Sequence, residues 1–64
     1  MNDYTFSFDG RQNGAIGATE FIVASAKGDN AKDALLRLYE RFEHIHVIKV
    51  TNQDGENIQL SEVR

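Results

Sequence analysis

Sixty-four residues leave room for one domain around one core, and the absence of cysteine excludes a disulfide framework and thiolate metal sites alike. Hydrophobic residues make up 41% and charged residues 27%, the proportions of a folded chain rather than a disordered one. With a net charge of −3 and seven scattered Lys and Arg residues, the clustered basic surface that drives phosphate-backbone binding is not evident.

No apolar run approaches the roughly 18 residues of a membrane span, and Met1-Asn2-Asp3-Tyr4 lacks the basic and apolar segments of a signal peptide. A chain that opens at Met1 without a tag or low-complexity tail reads as a complete small gene product, and its lack of cysteine fits a cytoplasmic setting. So short a chain buries only roughly 60% of its unfolded surface, which makes self-association a serious route to stability.

In chain order, Tyr4-Thr5-Phe6-Ser7-Phe8-Asp9 alternates aromatic and polar residues, the period of a half-buried strand spanning about 3–11. Asn13-Gly14 then suits a two-residue type I′ turn, where both central residues need positive φ. Counting outward from it sets Phe8 opposite Thr19, Phe6 opposite Phe21 and Tyr4 opposite Val23. Tyr4, Phe6, Phe8 and Phe21 then share one face, with Ile22 on the other. The glycine-rich stretch 14–18 is the weak point of this register, suited equally to a bulge or a longer loop. A second strand of about 18–27 ends at Gly28-Asp29-Asn30.

Asp29 or Asn30 can cap a helix of about 30–43, and Asp33 in its first turn complements the macrodipole. Ala31, Ala34, Leu35, Leu38 and Phe42 draw one apolar stripe, and Asp33 to Arg37 is a favourable i, i+4 pair. A β-branched strand of about 45–52 follows, then an Asp54-Gly55 turn and a fourth strand of about 57–63. That turn sets Thr51, Lys49 and Val47 beside Ile58, Leu60 and Glu62, and groups Val50, Ile48 and His46 with Gln59, Ser61 and Val63. The fold expected is a single ββαββ domain of the α+β class, with one amphipathic helix on a mainly antiparallel sheet. Strand order 2-1-3-4 is preferred over 1-2-3-4, because it centres the aromatic first strand.

Catalytic chemistry finds little footing. The carboxylates fall at turns, caps or a polar face, and no nucleophile elbow or phosphate loop is present. His44-x-His46 has a usable ligand spacing but lacks a third ligand, and His44 suits a helix end better. Neither a metal nor a cofactor is expected. The second hairpin is apolar on both faces, so one set of side chains is surplus to the core and suits a partner. Leu36, Tyr39, His46, Ile48, Val50 and Val63 are the candidate contacts. On this reading Ile48→Lys and Val50→Lys leave the fold intact and abolish association.

The layout resembles, in architecture only, the small ββαβ proteins of phages and plasmids, which include inhibitors of host defence and antitoxin-like modules. The expectation is a small non-catalytic protein-binding module, of the kind a phage or plasmid encodes as an inhibitor or accessory protein, that masks a partner surface or pairs with itself as a homodimer. A nucleic-acid-binding domain using Arg11, Lys27, Lys32, Lys49 and Arg64 is the alternative, and a homo-oligomeric structural subunit the third reading.

Overall fold

Alternating aromatics make the first strand a natural sheet centre, and the computed structural model, which describes residues 2–63, puts it there. The elements are β1 (Asn2–Gln12), β2 (Glu20–Gly28), α1 (Ala31–Leu38), β3 (Phe42–Asn52) and β4 (Asn57–Ile58), followed by a 3₁₀ turn at Leu60–Glu62. Their single sheet has the order β2-β1-β3-β4, with every neighbouring pair antiparallel. Tyr4, Phe6 and Phe8 of β1 are buried against Ala31, Ala34, Leu35 and Leu38 of α1. The expected apolar stripe of the helix is therefore its core face.

Asn30 is the N-cap, its Oδ1 accepting from the Asp33 amide at 2.8 Å. Asp33 in turn accepts from the Asp29 amide and lies 3.6 Å from Arg37 Nε. The helix stops at Leu38 instead of continuing to 43, and a tertiary contact explains why. The Asn13 amide donates to Arg41 O at 3.0 Å, and Asn13 Nδ2 donates to Glu40 O at 2.9 Å. These two carbonyls are thereby drawn away from helical geometry, and β3 begins at Phe42, paired with Gln12, rather than at 45. Phe42 still reaches the core, but from a strand, where it meets Phe8 edge-to-face at 5.2 Å. His44 likewise does not end a helix. It sits within β3 at φ 55°, beside one of two bulges.

Both hairpin registers differ from the sequence expectation by an odd number of residues, and each difference exchanges the faces of a strand. The first connection uses residues 13–19 rather than a two-residue turn, so Phe8 pairs with Ile22, Phe6 with Ala24 and Tyr4 with Ala26. The sums of paired residue numbers are 30 in the fold against 27 expected. Ile22, Ala24 and Ala26 thus face the helix, and Phe21 and Val23 face away. The small inner residues suit a close helix: a Cβ on Gly28 would lie 2.4 Å from Ala34 N.

At the second hairpin, Asn52 organises a wider turn by accepting from the Asp54 and Glu56 amides, both at 2.9 Å, with Gly55 at φ 84°. A three-residue loop ending in left-handed glycine is a standard alternative to the two-residue turn. Val50 then pairs with Ile58, not Thr51 with Ile58. The expected fourth strand shrinks to two residues, and the segment that follows curls into the 3₁₀ turn and buries Val63.

Candidate interaction surface

α1 covers one face of the sheet, and the other face is open. Down the middle of that open face run Thr5, Ser7 and Asp9 of β1. Register sets Ser7 between Val23 and Lys49, and Asp9 between Phe21 and His46. Phe21 and Val23 remain 61% and 60% exposed, and Ile48, the extra residue of the bulge between Val47 and Lys49, is 48% exposed. Phe21 and Val23, alternating with Ile22 and Ala24 that pack against the core, form a patch rather than isolated surface hydrophobes.

The sequence-derived contacts divide into three groups. Val50 and Val63 are 1% and 4% exposed and belong to the core, so neither is available to a partner. The physical reason for Val50 is its pairing with Phe6 of β1, which turns it inward beneath the helix, and for Val63 the 3₁₀ turn that folds the chain back onto the core. Leu36 and Ile48 are exposed, but on different layers of the molecule. Tyr39 and His46 line, with Leu35, Ile45, Val47 and the buried Val63, an open groove of about 360 Å³ between α1 and β3. A second concavity of about 410 Å³ lies at the helix N-terminus, between Tyr4, Asn30, Ala31, Lys32, Ile58 and Glu62. Phe21 and Val23 escaped the sequence reading, which placed both in the core.

The 13–19 loop is tied down at both ends. Arg11 Nη1 donates to Gly17 O at 2.7 Å, and the Gly14 amide donates to Glu43 Oε1 at 2.9 Å. Glu43 Oε2 lies 3.2 Å from both Arg11 Nη2 and His44 Nε2, while Arg11 Nε is buried without a partner. Between the ties, Ile16 projects fully into solvent.

The Gly14 hydrogen bond, then that of Arg11, lowers the pKa of the Glu43 carboxyl from its ordinary value, against a smaller opposing effect of desolvation. A group whose folded-state pKa is depressed stabilises above its unfolded pKa and loses that contribution as pH falls through the folded value. The Gly14 amide resonance should therefore titrate with a midpoint below the ~4.3 of a free glutamate, the loop loosening only on the acid side of it. A midpoint at or above that value would show that the clamp is not formed.

Among the described residues no three His, Asp or Glu side chains gather closely enough to hold a metal ion, and no helix is long and apolar enough to cross a membrane. Of the basic residues considered for nucleic acid, Arg11 is paired with Glu43, Lys27 stands opposite Asp3, and Lys32 lies on the helix, the layer opposite Lys49. Arg64 lies outside the described residues. No protein-family model matches the chain, and neither the curated proteins nor the solved structures provide a match.

Proposed function

We propose that this chain is a small non-catalytic protein-binding module that masks a partner surface in the cytoplasm, in the manner of a phage- or plasmid-encoded inhibitor or accessory protein. One observation carries the reading: Phe21 and Val23, large and more than half exposed, sit side by side on the uncovered face of the sheet. Burying such side chains is the main source of affinity at protein interfaces, with aromatic residues as frequent anchors. The polar and charged groups between and around them, Ser7, Asp9, His46 and Lys49, suit a rim that sets orientation and association rate. A nucleic-acid reading has weaker support: Lys27 and Lys49 share the open face, but Lys27 stands opposite Asp3, Arg11 is paired with Glu43, and the net charge is −3.

The immobilised chain should capture a discrete protein from lysate of its source cells. A Phe21→Ser/Val23→Ser variant should melt as the native chain does and bind at least about tenfold more weakly. Micromolar binding to short duplex DNA or RNA, with affinity falling steeply as salt rises, would replace this reading with the nucleic-acid one.

A further inference from the structure

We infer that β2 is a pairing edge for a second copy of this chain, joined antiparallel across a two-fold axis at Ile22. The inference rests on the protein-binding reading and names its partner. β2 runs beside β1 for nine consecutive residue pairs without a bulge, and its far side meets no strand. That side offers a regular row of backbone donors and acceptors, the ready template for another strand.

The contrast with β3 is informative. Beyond its two pairs with β4, β3 also has a free side, but two bulges and the left-handed His44 interrupt it, and the 3₁₀ turn packs against it. Bulges and coverage of this kind keep sheet edges from pairing. β2 has no proline, no bulge and only two charged residues, Glu20 and Lys27, one near each end.

The apolar pattern favours a second copy of the same strand and selects the register. With Ile22 opposite Ile22, each Phe21 stands opposite Val23 of the second copy on the open face, an aromatic against a β-branched residue. Four side chains that are each about 60% exposed become one continuous patch. Arg41 Nη1, which donates to Ser25 O at 3.4 Å, lies outside the five paired residues 20–24 and keeps its contact. α1 packs chiefly over β2, so the two helices would come alongside and enlarge the interface. A stable dimer needs about 800 Å² per partner, roughly a fifth of the 4223 Å² surface of the chain.

The test is light scattering on the purified chain over a dilution series, with mass rising from 7.2 kDa toward twice that value. Phe21→Glu alone and Val23→Lys alone should each weaken association at least about tenfold while leaving the melting curve in place. The double variant should recover it, because each introduced glutamate then faces a lysine across the two-fold. Amide exchange at residues 20–24 should also slow as concentration rises, a readout that needs no substitution. A mass of 7.2 kDa at every concentration up to about 1 mM overturns the inference and leaves the protein-binding reading with a foreign partner. A dimer indifferent to all three variants, or exchange at 20–24 independent of concentration, overturns it as well.

Discussion

Val50→Lys is expected to abolish cooperative unfolding at neutral pH, whereas Ile48→Lys, two residues away, should leave the melting transition nearly unchanged. Val50 is 1% exposed on the helix-covered face, paired with Phe6 on one side and Ile58 on the other. An ammonium group there has no counter-ion and must be desolvated or neutralised, at a cost of ~4 kcal/mol or more. A domain of 64 residues has only about 3–10 kcal/mol in total, at 0.05–0.15 kcal/mol per residue. Ile48 occupies a bulge and is half exposed, so the same lysine there stays in water. Thermal melts followed by circular dichroism read the difference directly. Equal, small effects at both positions would return Val50 to the surface.

Phe8→Ala should be nearly as damaging. Phe8 is fully buried at the centre of the sheet and packs edge-to-face on Phe42 at 5.2 Å. Truncating a buried phenylalanine removes about 3–5 kcal/mol through lost transfer energy and the cavity left behind. The contact joins the two ends of the chain's long-range structure, since Phe42 begins β3 directly after the helical turn that Asn13 captures. The variant should populate the unfolded state substantially at 25 °C, seen as a sloping, low-temperature transition in urea or heat. A loss of under ~1 kcal/mol would mean that the core refills the space, contrary to the close packing of Phe8 on Phe42.

The element types and sheet order were legible because each rests on a local pattern that tertiary contacts reinforce. The period-two aromatics of β1, the Asn30 cap, the apolar stripe of α1 and the β-branched run 45–51 each point one way. The registers were not legible, because they depend on how many residues a turn consumes. Asn13-Gly14 has the composition of a two-residue turn, yet Asn13 is drawn to the Glu40 and Arg41 carbonyls, which no local rule anticipates. One signal was available. Ile22, Ala24, Ala26 and Gly28 fall from a large residue through two alanines to glycine along one face of β2, as a helix approaching at close range requires, and Ala31 and Ala34 are the matching small residues on α1. The same slip hid Phe21 and Val23, now the most exposed large side chains of the sheet, inside the expected core. At the second hairpin the Asn52 side chain, not Asp54-Gly55 alone, decides the turn, and so sets Ile58 beside Val50 against the core.

The outward orientation of Phe21 and Val23 is the premise of both the binding reading and the dimer, and native thiol reactivity tests it most directly. The chain has no cysteine of its own, so single substitutions at Phe21, Val23 and Ala26 can each be labelled without background. In dilute protein, where the chain is monomeric, cysteines at 21 and 23 should react with an aromatic disulfide reagent almost as fast as a free thiol. A cysteine at 26, buried in the fold, should react only through opening of the structure, slower by orders of magnitude. Fast reaction at 26 with protection at 21 and 23 would restore the two-residue turn, return the aromatic to the core and remove the exposed surface on which the proposed function depends.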